Sequence, residues 1–331
     1  MASKKSKKKG ASKKKPASAK KGGGAAKKGP AKSTAGKKAA GEKAAPRSGK
    51  GWLVGAGLAA VAVVGVVVFA QPRGGASGGG EGAEEIAEEV DLTEPLQLGT
   101  TVPEALRVEV VRRHPHDTDA FTQGLLWHDG ELYESTGLEG RSTLRRTSVE
   151  GEVRQRVDVP GDFFAEGLAR VGDRLFQLTW QSGKAFVYDR ETFEKVAEHD
   201  YEGEGWGLCF DGEHLVMSDG SDRLAFRDPE SFEVVREVRV TRIGRPLRRL
   251  NELECVDGAV YANVWQSDDI VRIDPATGAV TATIDASGLL TRAERRRTDV
   301  LNGIAWLPDR ERFLITGKLW PWAFEVELVA R

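Results

Sequence analysis

The sequence predicts an all-β fold, a five-bladed β-propeller, preceded by a disordered Lys-rich arm, one transmembrane helix and a flexible acidic linker. A strand–turn–strand unit recurs five times. Gln123-Gly124-Leu125 leads to Leu132-Tyr133, Glu166-Gly167-Leu168 to Leu175-Phe176, Trp206-Gly207-Leu208 to Leu215-Val216, Asn251-Glu252-Leu253 to Val260-Tyr261, and Asn302-Gly303-Ile304 to Phe313-Leu314. The starts lie 43, 40, 45 and 51 residues apart, a spacing typical of propeller blades. Turns nucleated by Asp or Pro recur between these units, at 187–196, 226–235 and 271–280, and read as hairpins. Two strands plus one hairpin make four strands per repeat. Helical periodicity is absent over any long stretch, apart from a single turn expected near 291–297.

Residues 1–51 form the arm. The first fifty hold 17 Lys, one Arg and one Glu, so they carry +17 and the rest of the chain −18, although the whole sums to −1. With almost no large apolar side chain, the arm cannot bury enough surface to order itself. Such a run can neutralise an anionic surface, but its plain reading is a solvated cytoplasmic flank, and no specific nucleic acid is expected. Residues 52–70 are 19 consecutive uncharged residues. As a helix they span roughly 30 Å, enough for a bilayer core. Lysines before and acids after orient the span with the arm inside and the remainder outside. The expectation is a signal-anchor in the cell inner membrane, with cleavage near Ala70 and secretion as the alternative. Residues 71–101 are Gly-rich and then acidic, a self-repelling tether. Residues 102–331 are long enough for one large core and should act as a monomeric propeller.

Aligning the repeats puts Gln123, Glu166, Trp206, Asn251 and Asn302 at one position, a ring around the axis in which Glu166 is the only acid. The second strands align Trp180, Trp265 and Lys318 at the same end. Phe121 and Phe164 each precede a ring residue by two and share its strand face. Aromatic walls with a few polar groups suit a small, partly apolar ligand with a polar end. The alternative is that the aromatics merely fill the channel and Lys318 pairs with Glu166. Cys209 and Cys255 lie at near-equivalent places in the third and fourth repeats. Buried free thiols are expected there rather than a disulfide, and their spacing does not suit zinc. His114, His116 and Asp117 are ligand-type residues, but they sit in a Pro-containing loop before the first repeat, so no metal is expected.

Several motifs together resemble the plant and bacterial type of glutaminyl-peptide cyclotransferase: Phe121-Thr122-Gln123-Gly124-Leu125, Phe164-Ala165-Glu166-Gly167-Leu168, Gln177-Leu178-Thr179-Trp180, Glu204-Gly205-Trp206-Gly207-Leu208, Leu250-Asn251-Glu252-Leu253-Glu254, Tyr261-Ala262-Asn263-Val264-Trp265, Val300-Leu301-Asn302-Gly303-Ile304 and Thr316-Gly317-Lys318-Leu319-Trp320-Pro321. The resemblance runs from about Val108 to Val326 and does not reach residues 1–101. It implies a five-bladed propeller that converts N-terminal glutamine of peptides or proteins to pyroglutamate with release of ammonia, without metal or other cofactor. It places the catalytic glutamate on Glu166 and site groups on Phe121, Gln123, Phe164, Trp180, Trp206, Asn251, Trp265 and Lys318. Cys209 and Cys255 depart from the family pattern. In chemical terms, the α-amine must lose a proton as it attacks its own γ-carboxamide, and the departing nitrogen must gain one. One carboxylate can do both, which assigns Glu166 as shuttle. Lys318, or an Asn or Gln amide such as Asn251, would stabilise the oxyanion or hold Glu166. The competing classes are a calcium-dependent lactonase-like hydrolase, recruiting Asn251, Asn302 and Glu166, and a non-catalytic binding module.

Overall fold

The glycine that follows a ring residue is what lets one repeat approach the next. A Cβ on Gly167 would lie 2.5 Å from the Leu208 nitrogen, and one on Gly207 would collide with the Asn251 carbonyl. Only a residue without a side chain fits where neighbouring inner strands converge on an axis.

The computed structural model describes residues 102–331. The chain starts with a long strand β1 (Glu104–Pro115). The first four-stranded unit is β2 (Thr122–His128), β3 (Glu131–Thr136), β4 (Thr143–Thr147) and β5 (Val153–Asp158). The second is β6 (Ala165–Val171), β7 (Arg174–Thr179), β8 (Lys184–Asp189) and β9 (Lys195–Asp200). The third is β10 (Leu208–Phe210), β11 (Leu215–Ser218), β12 (Arg223–Arg227) and β13 (Val234–Arg239). A two-residue ribbon, β14 (Thr241–Arg242) with β15 (Arg245–Pro246), precedes the fourth: β16 (Leu250–Val256), β17 (Ala259–Val264), β18 (Asp269–Ile273) and β19 (Val280–Asp285). The helical turn α1 (Arg292–Arg295) follows, capped by a Thr291/Glu294 capping box. The chain ends in β20 (Leu301–Leu307), β21 (Arg312–Gly317) and β22 (Trp322–Ala330).

All four strands of the first four units pair antiparallel in sequence order. The last unit has only three C-terminal strands. Its fourth is β1, antiparallel to β22 from Leu106↔Ala330 to Pro115↔Trp322, so the two ends of the domain are stitched together. The rule of four strands per repeat therefore holds for four repeats, and the fifth borrows a strand that belongs to no repeat. A short parallel pairing of β1 with β19 joins the last two units into one eight-stranded sheet. The first strands β2, β6, β10, β16 and β20 neighbour one another in a closed circle, a propeller-like arrangement.

The core lies between the units. One cluster packs Tyr133 and Leu144 of the first against Leu168 and Phe186 of the second. Others join the second to the third through Phe176 and Met217, the third to the fourth through Phe226 and Val271, the fourth to the fifth through Ile284 and Phe324, and the fifth to the first through Leu314 and Leu132. Each sheet is apolar on both faces near the axis. The inner strands are accordingly buried along most of their length, while β9 and β13 are mostly exposed.

One expectation is corrected. Cys209 and Cys255 are not free thiols but form a disulfide between β10 and β16, with Cα atoms 5.5 Å apart. Equivalent positions on inner strands of adjacent units lie side by side, within bridging distance, a separation that the linear spacing of 46 conceals. The arm 1–51, the apolar span 52–70 and the linker 71–101 lie outside the described residues. Among the described residues, no helix is long and apolar enough to cross a membrane.

Candidate active site

The inner strands do not run regularly through the ring. The β2–β3 register shifts between Thr122 and Gly124, β6–β7 between Ala165 and Leu168, β16–β17 between Leu250 and Leu253, and β20–β21 between Leu301 and Ile304. Each shift falls on a ring residue: Gln123, Glu166, Asn251 and Asn302. A bulge frees a side chain from the alternation of its strand and re-aims it, here toward the axis. In the third unit Trp206 precedes β10, and its N–H donates to Ser218 O at 2.9 Å.

These residues surround a cleft of about 330 Å³ lined by Phe121, Gln123, Phe164, Glu166, Trp180, Trp206, Asn251, Trp265, Asp299 and Lys318. Two aromatic groups form its walls. Phe164 packs edge-on to Phe121 and Trp180, with centroids 6.1 and 5.7 Å away, and Trp206 packs edge-on to Trp265 at 5.5 Å. Gly220 has φ +77°, and Trp206 lies against it so closely that a Cβ there would meet the indole at 2.7 Å. Trp180 is the most open wall, 36% exposed.

Glu166 is 5% exposed. Its Oε1 accepts from Gln123 Nε2 at 2.9 Å, and Gln123 Oε1 accepts from Asn302 Nδ2 at 3.3 Å. Burial pushes the Glu166 carboxyl well above the usual carboxylate range; the positive charge of Lys318 opposes the rise and the negative charge of Glu204 adds to it. Burial likewise lowers the Lys318 ammonium, against the pull of Glu166 and Asp299. Lys318 Nζ stands 4.9 Å from the Phe121 ring centre, a cation–π contact. Its main chain is fixed at both ends: Lys318 N–H donates to Val300 O at 3.0 Å, and Asp299 N–H donates to Lys318 O at 2.9 Å. The Asn251 carbonyl accepts from Ser218 Oγ at 2.7 Å, while its side-chain Oδ1 is buried with no partner among the described residues.

Of the ring, Asn302 alone does not line the cleft. It is fully buried behind Gln123, also donating to Thr122 O at 3.0 Å, and acts as a support. Two groups outside the predicted set belong here. Asp299 lines the cleft beside Lys318. Glu204 Oε2 accepts both indole N–H groups, from Trp180 at 2.8 Å and Trp206 at 2.9 Å, while Oε1 accepts from Gln181 at 2.8 Å. Burial would raise this carboxyl, but the three donors outweigh it and hold it below its usual range. The available signal was Trp206, two residues after Glu204, together with Trp180 aligned at the same end, each indole needing an acceptor. Glu252 occupies the place that glycine holds in the other repeats. It reaches across the axis, accepting from Leu125 N–H at 3.2 Å and Ile304 N–H at 2.8 Å, and serves the fold rather than the cleft. His116 and Asp117 enter a buried cluster with Glu134 and Arg145. Among the described residues, no group of three His, Cys, Asp or Glu is placed to hold a metal ion.

A buried acid of raised pKa in an aromatic cleft, with an ammonium and amides around it, defines a general acid–base enzyme for a small ligand. Residues 85–328 match the family described as glutamine cyclotransferase, and the chain belongs to that family. It is 43% identical over 227 residues to the glutaminyl-peptide cyclotransferase of Arabidopsis thaliana, covering 67% of this chain and 71% of that protein. It is also similar to the crystal structure of Myxococcus xanthus glutaminyl cyclase, with 44% identity and a TM-score of 0.64, over 69% of this chain and 99% of that one.

Proposed function

We infer that the protein is a glutaminyl-peptide cyclotransferase, converting an N-terminal glutamine to pyroglutamate with release of ammonia on a five-bladed β-propeller. The observation that carries this reading is the Glu166 carboxyl, buried, raised in pKa and held by one neutral donor. A substrate glutamine folded against the indoles brings its α-nitrogen to its own δ-carbon, so the ring closure is intramolecular and the cleft supplies orientation. As the N–C bond forms, the amine proton passes to Glu166. As the C–N bond of the carboxamide breaks, Glu166 returns the proton to the departing nitrogen, which leaves as ammonia. A carboxyl with a raised pKa is suited to both transfers. Lys318 and the unpartnered side chain of Asn251 are placed to meet the tetrahedral oxyanion and the substrate amide. The test is ammonia release and mass loss from a glutaminyl dipeptide by residues 102–331; absence of both would overturn the reading.

The same proposal places the enzyme outside the cytoplasmic membrane, anchored by residues 52–70 and acting as a monomer. The Cys209–Cys255 bond supports this placement, because disulfides persist in oxidising compartments. External protease should remove the domain from intact spheroplasts, and full protection would refute the topology.

A further inference from the structure

The pocket end of the domain is where each unit's first strand begins and its second strand ends. Five connectors enter the units there. Those before β2, β6 and β10 are 6, 6 and 7 residues long, but those before β16 and β20, residues 240–249 and 286–300, have 10 and 15. Residues 102–331 carry a net charge of −12, yet eight of their 30 Lys and Arg fall in these two longer connectors, against two acids. Segments 201–207 and 219–222, at the same end on the third unit, hold Glu202, Glu204, Asp219 and Asp222 and no cation. The mouth of the cleft is therefore electrically polarised.

The arginine-rich side adjoins the pocket. Arg249 O accepts from the N–H of the pocket wall Trp265 at 2.8 Å, and Arg249 N–H donates at 2.8 Å to Gly220 O, on which Trp206 rests. Arg297 lies two residues before Asp299 of the pocket. A second depression, of about 310 Å³, is lined by Gln266, Ser267, Asp268, Arg295 and Val300. Two of its lining residues are chain neighbours of cleft residues: Gln266 follows Trp265, and Val300 follows Asp299. Arg295 is ion-paired with Asp268 at 2.6 Å. No ion pair joins Arg248, Arg249, Arg296 or Arg297 to a carboxylate among the described residues, and all four are exposed.

We propose that these two connectors form an exosite for the peptide downstream of the reacting glutamine, selecting substrates with acidic side chains in the first few positions after it. The inference rests on the cyclotransferase reading, which requires a peptide chain to leave the cleft. The polarity of the mouth sets its direction. The substrate's amino end is drawn toward Glu166 and Glu204, and an acidic continuation toward the arginines.

The test compares three glutaminyl hexapeptides of equal length with neutral, acidic or basic residues at positions two to five. The parent domain should prefer the acidic over the neutral peptide in kcat/KM by about three- to thirtyfold, the combined worth of two or three exposed ion pairs. The preference should lie in KM and shrink as salt rises. In the variant R248S/R249S/R296S/R297S, kcat/KM for the acidic peptide should fall to that for the neutral one, with melting as fold control. Equal kcat/KM for acidic and neutral peptides in the parent would overturn the exosite. So would a variant that slows all three peptides by the same factor. Turnover of none of the peptides would overturn the cyclotransferase reading, and the exosite with it.

Discussion

Gln123 Nε2 donates to Glu166 Oε1 at 2.9 Å, and it is the one side-chain hydrogen bond to this carboxyl among the described residues. Gln123 is itself oriented by Asn302, so two ring amides in series fix which carboxylate oxygen is held and which is left toward the cleft. A neutral donor holds the group without forcing it to ionise, and burial keeps its proton affinity high.

Replacing Glu166 with Gln keeps the shape and still accepts from Gln123, but cannot carry the proton. Turnover of a glutaminyl peptide should drop by about 10²–10⁴-fold. Stability should move the other way. The folded Glu166 pKa is raised, so the native state binds this proton more tightly than the unfolded chain does. Its stabilising effect is complete below the unfolded carboxylate range and is lost as pH rises through the folded pKa. At pH 8 the Glu166→Gln variant should therefore melt no lower than the parent. A folded variant retaining more than a fifth of the parent rate would remove Glu166 from the mechanism.

Glu204 couples the walls to the acid. Its carboxylate clamps Trp180 and Trp206, and its negative charge adds to the proton affinity of Glu166. In Glu204→Gln both indoles lose a charged acceptor, and kcat/KM should fall by about tenfold, within what a displaced wall can cost. The distinguishing readout is the pH profile. Without the neighbouring negative charge the Glu166 pKa falls, so the limb of kcat that reports it should move to lower pH. A limb that stays in place would reduce Glu204 to a packing residue.

The period of the repeat made the ring legible, because equivalence between repeats is a local property of the sequence. Gln123, Glu166 and Asn251 could be read in this way, and with them the aromatic walls. Equivalence also misled: Asn302 shares the alignment but lies one layer back, behind Gln123. What repetition does not encode had to come from the structure. The strand β1 matches no repeat, yet it closes the fifth unit. Glu204 and Asp299 sit in connectors, whose paths depend on packing between units rather than on periodicity. Glu252 stands where glycine is the rule because its carboxylate satisfies main-chain N–H groups on two other units.

The cluster around Glu134 is a stability device. Glu134 accepts from Arg145 Nη2 at 2.6 Å, Thr122 Oγ1 at 2.7 Å and His116 Nε2 at 3.0 Å, and ties the segment after β1 to the first unit. Burial opposes its ionisation, but Arg145 and His116 hold it far below the usual carboxylate range, and in return Glu134 raises His116. The Glu134 contribution is present above the unfolded carboxylate range and lost as pH falls. That of His116 is present below the ordinary imidazole value and lost as pH rises through its folded pKa. Glu134→Gln strands a buried guanidinium and should cost about 3 kcal/mol, the lower end for a broken buried pair because Asp117 still binds Arg145. The difference in melting temperature between parent and variant should be largest between about pH 4.5 and 6.5. A difference independent of pH would mean that shape rather than charge is what matters.

Activity should survive prolonged dialysis against EDTA and 1,10-phenanthroline. The chemistry assigned to Glu166, Lys318 and Asn251 needs only proton transfer and charge stabilisation by side chains, and Lys318 beside Glu166 opposes a divalent cation there. Loss of rate restored by zinc or calcium would turn the assignment toward a metal-dependent hydrolase.

The Cys209–Cys255 bond should be a large single contributor to the stability of the domain. It closes a loop with a sequence separation of 46, for which the chain-entropy account gives about 4 kcal/mol. In a domain of this size that corresponds to about 10 °C in melting temperature. The bond also lies close to the cleft. Cys209 follows Trp206 by three residues and Cys255 follows Asn251 by four, so it ties together the two inner strands that carry them. Cys209→Ser/Cys255→Ser should therefore melt about 10 °C lower than the oxidised parent, and dithiothreitol should bring the parent to the same value. Because Ser218 Oγ independently bridges Gly207 N–H and the Asn251 carbonyl, the cleft should keep its geometry below the new melting point, and KM should change little. Two titratable thiols in the folded, unreduced domain, with no shift on adding reductant, would show that the strands are held by packing alone.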